Sequence, residues 1–359
     1  MAYDLKEQQI TIRRENRSMK LPGNCLTTAM GILPHVDPDT ALRLALSLDI
    51  PFWPQLPRLS FYEDMYAQVS EHLPGIKLDF NAQVIRFNIK DFYEELPAYI
   101  ENWEDPDYFR LSPRYARVYR RFLAEDLAHY PAIRGQSIGP VSFGLKIVDE
   151  KQAPIIYNDE VRGFLYDFIT KKIQAQYRDL VAKNPRAFVW VDEPGLELVF
   201  MALTGYSSER AREDYRHFLA MLPGHKGVHL CGNPDWSFLL GLELDIISLD
   251  ALQWGHIFTR YTGEVKEFLQ RGGIISWGIT PTLTEEVEKV TIAKLVAQLE
   301  NLWDYLHGQG ISKETIITQA WLAPARCCLV NADGAASVEK SFRLLKEVAG
   351  VIRKKYGLL

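Results

Sequence analysis

The chain has 359 residues, 47% of them apolar and 24% charged, and a net charge of -5 from 41 basic against 46 acidic side chains. That size fits a single large α/β barrel, and no linker or repeat marks a second domain within residues 1–359. No basic run exceeds a few residues, which excludes a nucleic-acid footprint, and no apolar run approaches the roughly 18 residues of a membrane span.

The opening Met1-Ala-Tyr-Asp-Leu-Lys lacks the apolar core of a signal peptide. The four cysteines, Cys25, Cys231, Cys327 and Cys328, are spaced for a metal more than for a disulfide framework. A cytoplasmic protein is expected.

Short apolar runs then alternate with amphipathic stretches. Cys25–Met30 reads as a strand before a helix at Pro38–Leu48, started by Asp37-Pro38. Ile50–Trp53 leads into Phe61–Glu71. Residues 80–136 break the rhythm with tyrosines, arginines and a long helical pattern at Pro113–His129. They read as a helical insertion between strands two and three, either packed on the barrel wall or capping the site. Strand patterns resume at Ser137–Phe143, Phe188–Val191, Gly227–Leu230, Asp245–Leu249, Gly273–Ser276 and Thr315–Ala320. Helical patterns separate or follow them at Asp159–Leu180, Glu209–Met221, Pro234–Leu240, Gly263–Gln270, Glu285–His307 and Ser337–Lys355. Eight strands, most leading into a helix, predict a (β/α)8 TIM barrel, because parallel neighbours need crossover connections.

Barrel enzymes carry their chemistry at the carboxyl ends of the strands. In Gly227-Val-His229-Leu-Cys231-Gly-Asn233, His and Cys two apart point the same way off the fifth strand. Asp250 ends the sixth strand, and Cys327 and Cys328 follow the eighth. A third soft ligand from that late loop would complete a half-open zinc site, since catalytic zinc takes about three protein ligands and leaves one position for water or substrate. Thiolate-rich zinc favours thiol chemistry. Simple burial is the competing explanation for each His and Cys.

Other positions are less specific. Gly31 would let a substrate carboxylate approach backbone N–H groups, or would only serve a tight turn before Pro34. Cys25 sits at the wrong strand end for the metal and reads as core. His35 and His256 read as loop histidines. Pro51-Phe-Trp53-Pro-Gln55-Leu-Pro57 and Ser276-Trp277-Gly-Ile-Thr-Pro281 end strands two and seven, where Trp277 could line a pocket for a flat ring or corrinoid, or pack in the core.

The ordered motifs resemble the superfamily that contains the catalytic half of cobalamin-independent methionine synthase, uroporphyrinogen decarboxylase and the methylcobamide:coenzyme M methyltransferases. Gly227-Val-His229-Leu-Cys231-Gly-Asn233 resembles the zinc motif of the methyltransferase branches, and Cys327-Cys328-Leu329 resembles their Cys-Gly-Leu. Val191-Asp192-Glu193-Pro194 matches their Asp-Glu-Pro strand end, and Thr28-Ala-Met-Gly31-Ile-Leu-Pro34 resembles their Thr-Ile-Gly-Ser-Phe-Pro. The resemblance implies zinc on His229, Cys231 and Cys327, with Cys328 the rival for the last thiolate. Asp250 takes the place of a glutamate ligand, as an exchangeable fourth donor. It also implies that Asp192 binds a substrate ammonium, with a helix cap or salt bridge as the alternative. Asp192 and Asp250 are thus the candidate catalytic residues, and Gly31, Gln55, Asp192 and Trp277 the candidate substrate-binding residues.

Two departures stand out. Where methionine synthases carry Ile-His-Ser-Pro, this chain has Gly278-Ile279-Thr280-Pro281, without a titratable group. Where they carry a carboxylate after the second strand, it has Gln55. The expected function is a zinc-dependent methyltransferase moving a methyl group to a small thiol, homocysteine-like or other, from methylcobamide on a corrinoid protein or from methyltetrahydrofolate. The alternatives are a non-catalytic barrel that binds a corrinoid or thiol, and a decarboxylase using Asp192 and loop arginines such as Arg134. The arginine-rich signature of the decarboxylases is absent, which disfavours that branch.

Overall fold

The computed structural model describes residues 19–199, 205–327, 329 and 331–358. The opening hexapeptide and Cys328, on which two expectations bear, lie outside the described residues. The strands are β1 (Leu26–Thr27), an antiparallel hairpin of β2 (Ile76–Asp79) and β3 (Val84–Phe87), then β4 (Arg134–Ile138), β5 (Phe188–Asp192), β6 (Lys226–Leu230), β7 (Ile246–Asp250), β8 (Ile274–Thr280) and β9 (Ala320–Pro324). All except the hairpin join one curled parallel sheet, ordered β1-β9-β8-β7-β6-β5-β4. Apart from β1, the strands of this sheet are buried along their whole length, as expected when helices cover one face and the curl closes over the other.

The expected second strand is instead an irregular segment that touches both edges of the sheet. Ile50 N–H donates to Thr27 O at 2.9 Å, and Arg134 N–H to Pro51 O at 3.0 Å. Parallel bridges pair Ile32 with Gln55 and Phe52 with Arg134. Prolines at 51 and 54 remove the donors that a regular ladder would need.

Three other expectations are corrected. Thr315–Ala320 is mostly a helix, Lys313–Thr318, capped by Ser312; the strand follows at β9. The β-branched run Thr-Ile-Ile-Thr suggested a strand, but the capping serine and Lys313-Glu314 start a helical turn. β4 begins three residues before the expected Ser137, so Arg134 is a strand residue and not a loop arginine. The stretch 80–136 contains helices Ile89–Glu101 and Arg117–Ala124, but it opens inside the β2–β3 hairpin. Helix Ile89–Glu101 packs outward, with Tyr99 meeting Phe164 and Phe168 of the helix Asp159–Val181.

The core forms two layers. Between sheet and helices lies the larger one, which includes Trp277, Trp303 and Leu249. Inside the curl lies a smaller one of Met30, Ile50, Ala132, Phe188, Trp190, Ile246, Ile274 and Trp321. The first and last strands pair parallel, and the C-terminal helix Ala336–Tyr356 fastens them. From that helix Arg353 Nη2 donates to the Cys25 carbonyl at 2.8 Å and pairs with Asp49, whose carboxylate also accepts from Thr27 N–H at 2.8 Å. No described helix is long and apolar enough to cross a membrane.

Candidate metal and thiol site

Strand alternation assembles the site. On β5, Phe188, Trp190 and Asp192 share the inner face. Gly227, His229 and Cys231 do so along β6 and its end. On β7 the inner residues are Ile246, Ser248 and Asp250. The lower members are the apolar core inside the curl. The upper members are polar, and Asp192 lies opposite His229, which lies opposite Ser248, in adjacent strands.

His229 is buried. Its Nδ1 is 2.9 Å from Ser248 Oγ and its Nε2 is 3.2 Å from Cys231 Sγ. Burial, with a smaller contribution from the Arg134 guanidinium, lowers its pKa to about 3. The imidazole is therefore neutral, the form a metal ligand requires. Cys231 and Cys327 are hydrogen-bonded to each other; that bond lowers the Cys327 pKa and raises that of Cys231, with burial adding to the rise. Residues nearly one hundred positions apart thus meet at one rim of the sheet.

Asp250 is fully buried. One oxygen, Oδ1, caps the helix Ala251–Phe258 by accepting from Gln253 N–H at 3.0 Å. Its Oδ2 has no hydrogen-bond partner, although Arg326 Nε lies 3.5 Å away. Burial raises its pKa, against the hydrogen bond from Gln253 and the charge of Arg326. Asp192 is also buried with a free oxygen, Oδ1, and burial raises its pKa to about 7 against the pull of Arg134.

The donor types suit zinc, and the spacing of one pair does as well. A tetrahedral zinc with ligands at typical bond lengths holds a sulfur and a nitrogen roughly 3.5 Å apart, close to the His229–Cys231 separation of 3.2 Å. Ser248 holds the imidazole by its remote nitrogen, the usual support for a ligating histidine. The donors are joined pair by pair: among the described residues, no three His, Cys, Asp or Glu side chains are gathered as a metal-holding group in this conformation. His229, Cys231 and Cys327 are the set that the contacts link.

Other expected site residues stand elsewhere. Trp277 faces outward, fully buried against Phe258 and Trp303, because its neighbours Ser276 and Gly278 take the inner positions. It packs in the outer core. Gly31 is a glycine because Gln136 lies against it: an added Cβ would sit 2.3 Å from Gln136 Cδ. Gln55 donates to Gln68 Oε1 at 2.7 Å and keeps a free Oε1. Glu193 accepts from Ser142 N–H at 2.8 Å and Val141 N–H at 3.2 Å, so it caps the helix Pro140–Lys146 from another strand. Asn233 accepts from Trp236 Nε1 and shapes the turn after β6. Of the loop histidines, His35 is buried and 3.3 Å from Glu339, and His256 lies in the helix Ala251–Phe258. Cys25 is core, and burial raises its thiol pKa to about 12.

Two residues at the site carry no signal that motif reading used, and a third was expected in a loop. Ser248 is one; its place two residues before Asp250 in an alternating strand would have found it. Arg326, beside Cys327, is another. Arg134 is the third: it is wholly buried, lies 3.7 Å over the Trp190 ring and donates to Gln136 Oε1 at 3.1 Å, while Trp190 stacks with His229 at 5.6 Å.

No protein-family model matches the chain, and no curated protein matches it. Solved structures do. A B12-independent methionine synthase from Shewanella sp. W3-18-1, in complex with selenomethionine, superposes with a TM-score of 0.55 at 12% identity, over 95% of this chain and 100% of that one. A methyltransferase from Methanosarcina mazei superposes with a TM-score of 0.52 at 13% identity, over 96% of this chain and 97% of that one. The chain shares their fold.

Proposed function

We propose that this protein is a zinc-dependent methyltransferase acting on a small thiol, with methylcobamide, delivered by a corrinoid protein, or methyltetrahydrofolate as donor. The observation that carries the reading is the meeting of His229, Cys231 and Cys327 at the carboxyl ends of the strands. The two structural neighbours, one a methionine synthase and one a methyltransferase by name, support it. We read the sheet and the segment at residues 50–55 together as a complete (β/α)8 barrel, with residues 80–136 as an insertion and the chain as one domain.

In this reading His229, Cys231 and Cys327 hold the zinc. Bound there, it would act as a Lewis acid that lowers an acceptor thiol's pKa from about 8.5 toward neutrality. Ser248 fixes the imidazole by Nδ1, leaving Nε2 as the nitrogen that would hold the metal. Asp250, whose Oδ2 has no hydrogen-bond partner, would be a further oxygen donor to it. Asp192, with its free Oδ1, receives a hydrogen-bond donor of the substrate, an ammonium in the first instance. These side chains orient the sulfur for in-line attack on the donor methyl group, a positioning contribution.

Metal analysis should give about one zinc per chain, as expected of a single such site. Methyl transfer from free methylcobalamin or methyltetrahydrofolate should reach some member of a thiol panel and vanish in Cys231→Ser. A zinc-free protein whose activity survives Cys231→Ser and Cys327→Ser would end the reading.

One observation favours a second reading, a non-catalytic barrel that binds a corrinoid or thiol. Ile279, where methionine synthases place their histidine, is packed in the outer core. Zinc without methyl transfer to any thiol would select that reading.

A further inference from the structure

Away from the strand ends, the β2–β3 hairpin and the helix Ile89–Glu101 border a cavity of about 480 Å³, within the range of small-molecule sites. Its walls are aromatic. Tyr99 and Tyr108 meet edge to face, with ring centroids 6.1 Å apart and planes at 68°, and His72 sets its imidazole edge-on to Tyr108 at 4.5 Å. Phe80 and Tyr115 line the cavity as well, packed on Tyr62 at 4.5 Å and 4.7 Å. Rings so inclined form a corner and not a stack, and each ring face is the negative pole of its quadrupole.

The charges agree with the rings. Among the described residues that line the cavity, Glu95 is the one carboxylate, and no lysine or arginine stands with it. Its Oε2 accepts from Gly75 N–H at 2.8 Å, and its charge adds to the burial that raises the Tyr108 pKa. His72 is no cation at neutral pH, because burial and the nearby Lys172 lower its pKa. Lys172 itself faces Glu71, 3.9 Å from Oε2. Tyr99 is 2% exposed, and its hydroxyl has no hydrogen-bond partner. A carboxylate, an unpaired phenol oxygen and tyrosine faces together make a site for positive charge.

We propose that this cavity binds a small organic cation, an alkylated ammonium whose methyl groups lie on the rings of Tyr99, Tyr108 and Tyr115 and whose charge is balanced by Glu95. Alkyl groups suit aromatic walls better than a bare ammonium, whose N–H donors would lose their water partners and find few replacements. The cavity shares no lining residue with the group of His229, Cys231 and Cys327, and the inference does not depend on the zinc reading.

Choline and its uncharged isostere 3,3-dimethyl-1-butanol test the charge directly. In isothermal titration at constant ionic strength, the wild-type protein should bind choline about tenfold more tightly than the alcohol, as expected of a partly desolvated cation on aromatic faces. Glu95→Gln leaves a carbonyl to accept from Gly75 N–H and alters an exposed side chain, so it does not open the core. It should cut that preference several-fold. Tyr108→Leu should do the same, whereas Tyr108→Phe, which keeps the ring, should retain it. Thermal unfolding checks that each variant is folded, and if Tyr108→Leu is not, Glu95→Gln decides.

The proposal stands if the preference for choline falls in Glu95→Gln and Tyr108→Leu and survives in Tyr108→Phe. It is overturned if choline does not bind, if the alcohol binds equally well, or if the preference survives Glu95→Gln. A protein that holds no zinc yet prefers choline would end the zinc reading and leave this one standing.

Discussion

The two ends of the curled sheet share the same strands and differ in everything else. At the amino-terminal end the inner face is aromatic and aliphatic: Phe188 stacks with Trp321 at 5.5 Å among Ile246, Ile274 and Ile50. At the carboxyl end the same face carries Asp192, His229, Ser248 and Asp250, some with polar atoms left unpaired. Strand alternation decides which residues face inward, but not whether they are apolar. The switch takes two residues per strand, from Ile246 to Ser248 or from Trp190 to Asp192. One end therefore holds the fold, and the other is free to carry costly buried polar groups.

If that division is right, substitutions at the two ends should separate stability from metal binding. The largest expected effect is at the polar end. Cys231→Ser should remove the zinc, weakening it by more than the 10–100-fold typical of a supporting residue, while the urea midpoint of the metal-free protein changes little. Metal analysis beside urea unfolding checks both halves.

At the apolar end, Trp321→Ala should cost about 3–5 kcal/mol of stability through lost burial and a cavity. The protein that remains folded should keep its zinc affinity. A parallel loss of zinc affinity would mean that the ends are coupled, and the comparison would fail.

Ser248→Ala sharpens the boundary between the two. It should weaken zinc by about 10–100-fold and leave the melting temperature within a few degrees. Equal zinc affinity in this variant would argue that the imidazole is held by packing on Trp190 alone.

The smallest expected effect concerns Glu193, a polar-end residue whose contacts are structural. Burial raises its pKa from 4.5 to about 7, against the hydrogen bonds from Ser142 and Val141. A raised carboxyl pKa means that the folded state binds the proton more tightly, so this stabilisation is complete below pH 4.5 and disappears as pH rises through 7. In Glu193→Gln that dependence should vanish, flattening stability between pH 5 and pH 8 by roughly 2 kcal/mol. Urea unfolding at the two pH values measures it.

The polar end was more legible than the apolar one. His229 and Cys231 announce themselves because imidazole and thiol two apart on an apolar strand are unusual, and Cys327 because few cysteines exist to answer them. Trp277 could not be placed, since a one-residue change of parity moves a side chain from pocket to outer core. β9 was misplaced because Ile316 and Ile317 have the β-branched shape of a strand, while the cap on Ser312 and the contacts of helix Lys313–Thr318 decide otherwise. The hairpin β2–β3 was missed because each strand has only four residues, and the turn relies on Gln83 in the left-handed region, where glycine or asparagine would have been the signal. Arg326 escaped because an arginine in a loop has no distinguishing pattern until the carboxylate beside it, Asp250, is known.

The clasp of Arg353 on Cys25 and Asp49 joins groups more than 300 positions apart. β1 has only two residues of its own with which to hold β9. The fold's seam must therefore be among the last events of assembly, since closing so long a loop precedes any reward from the contact. A nascent chain that has not yet made residue 353 has its inner face unsealed, with Trp321 and Trp190 open to wrong partners. Apolar surface left open in that way is what lets incompletely folded chains associate.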